Sequence, residues 1–254
     1  FDRLIELGQR LPALRRRVDR DLGRRGLPRD RVLAAVVRLL EQTALRVGNE
    51  EYARLNRSFG LTTLRNRHAR VARGAIQFRF RAKAGKVVQV DVDDRRLAAV
   101  VRRTQELPGQ ALFEYLDRDA VTEGGTPRPQ PIDSADVNEY LRSALGGEFS
   151  AKDLRTWAGT MQAFRTLRAT EPAPERTSRQ VVLDAIRETA AALGNTPAVA
   201  RSSYVHPDLV DAYLEDTEAV AAPARSQRAE ELALVRLLRR RKAASERKAR
   251  RRNR

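Results

Sequence analysis

Apolar residues recur at helical spacing along most of the chain. In residues 3–22 they lie at Leu4, Leu11, Leu14 and Val18, on one face of a predicted amphipathic helix. The same spacing predicts further helices at residues 28–46, 50–59, 94–107, 134–145, 150–167 and 177–193.

Glycine, proline and capping residues mark where these helices begin and end. Gly48 is expected to end the second helix and Gly60 the third. The sequences Ser-Ala-Lys-Asp at 150–153 and Thr-Ser-Arg-Gln at 177–180 match the capping box that opens a helix. Pro197 follows a glycine stop and suits the first turn of a new helix.

Two short segments alternate apolar and polar residues instead. They are residues 76–80 and 88–92, and the link between them contains a turn glycine. This pattern predicts a β-hairpin with Lys83 in its loop. Residues 119–132 and 170–176 are rich in turn-forming residues and are predicted to be loops. The predicted fold class is therefore α+β, mostly helical, with a small antiparallel β element.

The charge balance points to a polyanionic partner. Fifty Lys and Arg stand against 33 Asp and Glu, which gives a net charge of +17. Nucleic acid is the leading partner class, although a ribosomal or nucleoid protein has the same charge. A membrane surface is the weaker alternative, because no apolar run approaches the roughly 20 residues of a membrane span. The sequence also shows no secretory signal pattern.

The composition also limits the chemistry. The chain has no cysteine, which excludes disulfides, thiol nucleophiles and cysteine-based zinc sites in this sequence. Its only imidazoles are His68 and His206, and no acidic cluster suits Mg²⁺. A catalytic metal is therefore not expected. No Walker-type phosphate loop is present either.

The last 29 residues are strongly basic. Residues 226–254 carry 12 Lys or Arg and 3 Asp or Glu, which is a net charge of +9. This segment is predicted to be either an exposed basic helix or a disordered arm. A solvated tail that adds nonspecific affinity fits it as well as a specific role does.

Five segments carry the residues suited to chemistry. They are 45–48 (Leu-Arg-Val-Gly), 80–83 (Phe-Arg-Ala-Lys), 152–157 (Lys-Asp-Leu-Arg-Thr-Trp), 194–198 (Gly-Asn-Thr-Pro-Ala) and 203–206 (Ser-Tyr-Val-His). In this order they closely resemble the catalytic domain of bacterial and poxvirus type IB DNA topoisomerases. The resemblance covers about residues 1–215 and implies the fold shared by these enzymes and the tyrosine recombinases.

The resemblance implies a role for each matching residue. Tyr204 is expected to be the nucleophile that forms a 3′-phosphotyrosyl bond, with Arg46 and Arg155 on the nonbridging phosphate oxygens. Lys83 is expected to be the general acid for the 5′-oxygen. Asn195 takes the position that some relatives fill with His, and it is expected to donate a hydrogen bond to phosphate.

These residue types suit cleavage of a phosphodiester by a phenol. Only about 0.1% of an unperturbed phenol is ionised at neutral pH, and the alkoxide leaves poorly unless it is protonated. The site therefore needs cationic donors and a general acid. Asn195 and Tyr204 are nine residues apart and would face opposite sides of one straight helix. They converge only if Asn195 lies outside the helix that contains Tyr204.

The resemblance also implies partners and organisation. The substrate is expected to be duplex DNA, relaxed by a monomer in the cytoplasm, at the nucleoid, without ATP, cofactor or metal. Residues 1–217 are expected to form the catalytic domain without the small β domain that precedes it in relatives, and 218–254 a basic tail. The residues expected to contact DNA are Tyr52, Arg65, Asn66, Arg67, His68, Lys86 and Lys152.

Two alternatives remain open at the level of sequence. A tyrosine recombinase shares the fold and the phosphotyrosine chemistry. Recombinases usually carry His three residues before the second arginine, where this chain has Lys152 before Arg155. The other alternative is a DNA-binding protein with an inactive site.

Overall fold

Helices make up most of the chain, as the apolar spacing predicts. The computed structural model describes residues 1, 3–121, 127–170, 177–220 and 226–252. Its α-helices are α1 (Leu4–Leu22), α2 (Arg29–Thr43), α3 (Glu50–Asn56), α4 (Arg95–Gln105), α5 (Ser134–Leu145), α6 (Ala151–Ala169), α7 (Ser178–Ala192), α8 (Pro197–Ser203), α9 (Pro207–Glu215) and α10 (Gln227–Arg252). Its strands are β1 (Ala69–Ala72), β2 (Ala75–Arg81), β3 (Val87–Asp93), β4 (Glu114–Val121) and β5 (Pro127–Pro131).

Chain contacts divide the protein into two units. The central unit is Leu11–Lys152, and the terminal unit combines Phe1–Arg10 with Asp153–Arg254. All the strands of the described residues belong to the central unit. The predicted fold class, α+β and mostly helical with a small antiparallel β element, is confirmed. Among the described residues, no helix has the length and apolar character needed to cross a membrane.

The predicted hairpin forms the centre of a three-stranded antiparallel sheet. β2 pairs with β3, and Phe80 lies opposite Val88. Phe78 and Phe80 point from β2 into the core, since both are buried while their neighbours in the strand are exposed. β1 was not predicted, because a strand of four residues is too short to show a clear alternation. It pairs with the other edge of β2.

The prediction of a loop at 119–132 is wrong for its described part. β4 and β5 pair as a separate two-stranded antiparallel sheet, with Leu116 opposite Pro129 and Glu114 opposite Pro131. Proline donates no ladder hydrogen bond, so strands tolerate it at an edge. The backbone nitrogens of residues two apart in a strand point the same way, so all three β5 prolines, at 127, 129 and 131, can face the unpaired edge. Residues 122–126 lie outside the described residues, as do residues 171–176 of the other predicted loop.

Two helices, α2 and α3, end three residues earlier than predicted, each before a non-glycine residue with a left-handed backbone. Ala44 ends α2 with φ of 50° instead of continuing to Arg46. Arg57 ends α3 with φ of 49° instead of continuing to residue 59. The chain after α2 leaves the helix and forms hydrogen bonds with a second segment, residues 61–62. The carbonyl of Arg46 accepts from the Leu61 N–H at 2.9 Å.

The terminal unit consists of helices alone in its described residues. The predicted capping box opens α7, since Thr177 and Gln180 exchange side-chain to backbone hydrogen bonds. α8 begins at Pro197 in its first turn, as predicted. A Cβ on Gly8 would lie 2.4 Å from the Trp157 ring and 2.6 Å from Val235, so α1, α6 and α10 approach closely at this glycine.

The basic C-terminal segment is a helix over Gln227–Arg252, one of the two predicted alternatives. The first half of this helix is also part of the core of the terminal unit. The high density of basic residues in the sequence gave no indication of this burial. The buried positions in this half are Glu231, Leu234, Val235, Leu237 and Leu238. The predicted division at residue 217 stays a prediction.

Candidate active site

Tyr204 and Arg155 lie together in the terminal unit. Tyr204 ends α8, where its N–H donates to the carbonyl of Ala200 at 2.9 Å. Arg155 lies in the second turn of α6 and is only 6% exposed. Its guanidinium carbon is 5.2 Å from the centroid of the Tyr204 ring. A cation is therefore held against the predicted nucleophile by a helix rather than by a mobile surface chain.

Arg155 also contacts the chain that leads to Asn195. Its Nη2 donates to the carbonyl of Leu193, two residues before Asn195. Asn195 lies in the turn between α7 and α8, where its N–H donates to the carbonyl of Ala190 at 2.8 Å. It is thus outside the helix that Tyr204 ends, which is the condition that the nine-residue spacing requires. One unit holds all three residues.

α6 supports the backbone at Ser203 and Tyr204 through three residues to which the sequence assigned no role. The Thr160 hydroxyl is fully buried, donates to the Tyr204 carbonyl at 3.0 Å, and accepts from the His206 N–H at 3.2 Å. A Cβ on Gly159 would lie 2.8 Å from the Tyr204 carbonyl oxygen. Thr156, one turn earlier, donates to the Ser203 carbonyl at 3.5 Å. The only available signal was this pair of threonines four residues apart.

His206 has a structural place beside this group. Its Nδ1 accepts from the Asp208 N–H at 3.1 Å and so caps α9. The ring lies 5.2 Å from that of Phe1 and is 8% exposed. These contacts give His206 a structural role, capping α9 and packing against Phe1.

Arg46 lies in the central unit, in the non-helical segment between α2 and α3, which hydrogen-bonds to residues 61 and 62. The Leu61 N–H donates to the Arg46 carbonyl, and the Thr62 hydroxyl donates to the Val47 carbonyl at 3.0 Å. Gly48 and Gly60 let the two backbones touch, since a Cβ on Gly60 would lie 2.5 Å from the Gly48 nitrogen. This packing fixes the backbone that presents Arg46.

Lys83 is exposed in the loop between β2 and β3, as predicted. Its Nζ lies 5.9 Å from the centroid of the Tyr52 ring, and Tyr52 is 39% exposed on α3. Lys86 closes the same loop, because its carbonyl accepts from the Ala82 N–H at 2.7 Å. The structure therefore brings Lys83, Tyr52 and Lys86 to one surface. A hydrogen bond of 2.8 Å from the Phe59 N–H to the Arg81 carbonyl ties this hairpin to the chain after α3.

The basic cluster at 65–68 is partly internal. His68 is 9% exposed, and its ring lies 4.5 Å from that of Phe59. Burial, followed by the charges of Arg67 and Arg65, lowers the pKa of His68, so the ring is neutral at neutral pH. Its Nδ1 accepts from the Arg65 N–H at 3.0 Å. His68 therefore packs and caps, and a direct contact with phosphate stays a prediction.

The neighbours of His68 are placed differently. Arg67 is exposed, whereas Arg65 donates to the Gln110 side chain at 3.1 Å and Asn66 to the Gly109 carbonyl at 3.2 Å. Both contacts join the 65–68 cluster to the loop after α4. Lys152 is exposed in the first turn of α6.

The predicted catalytic residues thus lie in two groups. Arg155, Asn195 and Tyr204 belong to the terminal unit, and Arg46 and Lys83 belong to the central unit. Within the part of the chain that the structure describes, no group of three or more His, Asp or Glu side chains is placed to hold a metal ion.

Two comparisons with known proteins give the same result. Residues 1–231 match the family described as "Eukaryotic DNA topoisomerase I, catalytic core". The DNA topoisomerase 1B of Acanthamoeba polyphaga mimivirus is 28% identical over 222 residues, which are 86% of this chain and 65% of that protein. The chain therefore spans just under two thirds of the length of this relative.

The support that α6 gives to Tyr204 is testable by removing one hydroxyl. Thr160→Val keeps the shape of the side chain but leaves the Tyr204 carbonyl and the His206 N–H without that partner. We expect the free energy of unfolding to fall by about 1–3 kcal/mol. We also expect faster hydrogen exchange in residues 203–206. Thr160→Ser keeps the hydroxyl and is expected to match the parent chain. Equal stability and equal exchange in Thr160→Val and the parent would show that the hydrogen bond does not hold this segment.

Proposed function

Since this chain belongs to the family of the eukaryotic DNA topoisomerase I catalytic core, we propose that it is a type IB DNA topoisomerase. Its substrate is duplex DNA, of which it cuts one strand, allows rotation and reseals the cut. The observation that carries the proposal is the buried Arg155 guanidinium 5.2 Å from the ring of Tyr204. In a chain of this family, that contact joins a nucleophile to a fixed cation.

Tyr204 is the nucleophile in this proposal. Its oxygen attacks the phosphorus, the bond from phosphorus to the 5′-oxygen breaks, and the 3′-phosphate stays on the tyrosine. The phenol loses its proton, and the 5′-oxygen gains one. The hydroxyl of Thr160 holds the Tyr204 backbone during this exchange, which favours a single attack geometry.

The negative charge of the transition state requires donors that are already in place. Arg155 suits this task because its burial and its bond to the Leu193 carbonyl orient the guanidinium before DNA arrives. A planar guanidinium also matches two phosphate oxygens at once. We assign the same task to Arg46 and a supporting hydrogen bond to Asn195. Losing one such donor typically costs about 10²–10³ in rate.

Lys83 is the general acid in this proposal. Its ammonium is exposed on a short loop, where it can reach a bound strand. The adjacent ring of Tyr52 stabilises the ammonium group and restricts the positions that the Lys83 side chain can take. A proton from Lys83 converts the leaving alkoxide into a neutral 5′-hydroxyl.

Relaxation follows from the reversibility of this reaction. The phosphotyrosyl bond conserves the energy of the phosphodiester, so the 5′-hydroxyl reseals the strand without ATP. The free end rotates while the strand is open, which releases supercoils of either sign. The net charge of +17 favours retention of the duplex meanwhile and makes binding salt-dependent. Action as a monomer, on chromosomal DNA in the cytoplasm of a bacterium, is part of the same proposal.

Covalent trapping tests the nucleophile. A duplex with a short strand beyond the cleavage site loses that strand by diffusion after cutting, so the adduct accumulates. We expect an adduct through a 3′-phosphate on Tyr204, no adduct with Tyr204→Phe, and a normal adduct with the control Tyr115→Phe. Mass spectrometry of the linked peptide identifies the residue. An adduct that persists in Tyr204→Phe, or one through a 5′-phosphate, would contradict the proposal.

A sulfur substitution tests the general acid. Lys83→Ala is expected to cut ordinary DNA about 10²–10⁴ times more slowly. A thiol has a pKa near 8.5, so a 5′-bridging sulfur leaves without a proton from the protein. Cleavage of that substrate by Lys83→Ala is expected to approach the parent rate, whereas Arg155→Ala stays slow on it. A lysine variant that is equally slow on both substrates would rule out proton donation.

A further inference from the structure

The second half of α10 is an exposed basic helix. We define the α10 arm as residues 240–250, which contain six Lys or Arg and one Glu, a net charge of +5. Every residue from 242 to 250 is exposed, and no apolar side chain in the arm is larger than alanine. Its anchor is the buried first half of the helix, together with an ion pair between Arg241 and Glu215.

The arm is unfavourable as an isolated helix. Arg247 and Arg250 are three residues apart, a spacing at which like charges repel on a helix. A helical segment this short gains little stability from its own hydrogen bonds. In the described part of the chain, four exposed cations of the arm have no carboxylate within 4.0 Å, namely Arg240, Arg247, Lys248 and Arg250. Lys248 acts on a carboxylate only at longer range, where, after the hydrogen bond from Arg241, its charge helps to lower the pKa of Glu215. A polyanion would remove the repulsion.

The arm also has a shallow groove on one side. The groove is lined by Arg240, Ala243, Ala244, Arg247 and Lys248. The two alanines leave a low surface between cations on neighbouring turns. An anionic group can therefore approach the helix and meet cations on both sides, in the way that guanidinium and ammonium groups bind phosphate oxygens.

We propose that the α10 arm binds the phosphate backbone of duplex DNA. This inference rests on the proposed function, which makes duplex DNA the substrate. The arm is about 15 Å long at 1.5 Å per residue. Over that length a duplex presents about nine phosphate charges, so a rod of net charge +5 has a complementary surface to follow.

An anionic membrane fits the arm less well. Helices that lie in a membrane interface bury an apolar face that includes large side chains. The apolar residues of the arm are Ala243, Ala244 and Ala249, and they offer no such face. The attraction is therefore electrostatic alone, which suits a phosphate backbone in water.

The test compares two variants of equal charge in the full chain. Both carry Tyr204→Phe, so that only noncovalent binding to a short duplex is measured. The arm variant has Arg240→Gln, Arg247→Gln, Lys248→Gln and Arg250→Gln. The control has Arg102→Gln, Arg103→Gln, Arg142→Gln and Arg179→Gln, four exposed positions on other helices. Each set lowers the net charge from +17 by four, to +13.

The measured quantity is the slope of log affinity against log salt concentration. Each lost phosphate contact lowers the slope by about 0.9, so we expect a reduction of up to about 3.6 in the arm variant. The control is expected to keep the parent slope. Equal slopes in the arm variant and the control would overturn the proposal. So would loss of binding to vesicles of anionic lipid by the arm variant while its DNA binding is unchanged.

The two proposals fail in different ways in this experiment. A Tyr204→Phe parent chain that binds no duplex at all contradicts the proposed function, and the inference with it. A parent that binds, together with an arm variant that behaves like the control, contradicts only the role of the arm. Circular dichroism confirms that each variant is folded. Hydrogen exchange gives a second readout, because DNA is expected to slow exchange in residues 243–250 of the parent.

Discussion

Helix α6 contacts Tyr204 in three ways, by close packing, by a hydrogen bond and by a cation facing the ring. The chemistry proposed for this chain depends on these contacts. Gly159 leaves room for the Tyr204 carbonyl, Thr160 donates to it, and Arg155 faces the ring. These three residues are buried on one helix. Reaction geometry is sensitive to displacements of an ångström, so Tyr204 at the end of a short helix would need this support in its proposed role as nucleophile.

Burial of Arg155 has a cost that the arrangement offsets. A guanidinium away from water loses hydration, and its partners must replace it. The Leu193 carbonyl and the face of the Tyr204 ring are two of these partners. In the proposed reaction, the guanidinium gains a further favourable interaction when the phosphate anion of DNA binds. The site is therefore organised before substrate binds, which is the condition for strong electrostatic stabilisation of a transition state.

The parts of the fold that the sequence predicted are those with a local cause. The hairpin around Lys83 follows from period-two alternation, and the start of α7 follows from reciprocal capping at Thr177 and Gln180. The errors have nonlocal causes. α2 ends early because the chain at Arg46 and Val47 forms hydrogen bonds with residues 61–62. The proline-rich segment at 127–131 is a strand because one of its edges pairs with β4.

The same distinction applies to the candidate site. The motif residues were recognisable because their combination is unusual. Nothing in the sequence around Thr160 predicts its hydrogen bond to the Tyr204 carbonyl, which depends on how the helices pack. His68 illustrates the opposite case, a residue in a basic cluster whose ring is nonetheless packed against Phe59. Charge patterns similarly concealed that the first half of α10 is core.

In the proposed function, Tyr204 cuts and reseals DNA without an external energy source. The most direct test of this function is relaxation of negatively and of positively supercoiled plasmid in EDTA without ATP, with the chain and with Tyr204→Phe. We expect the chain to relax both signs and the variant to relax neither. Relaxation that persists in Tyr204→Phe, or that needs ATP or a divalent cation, would contradict it.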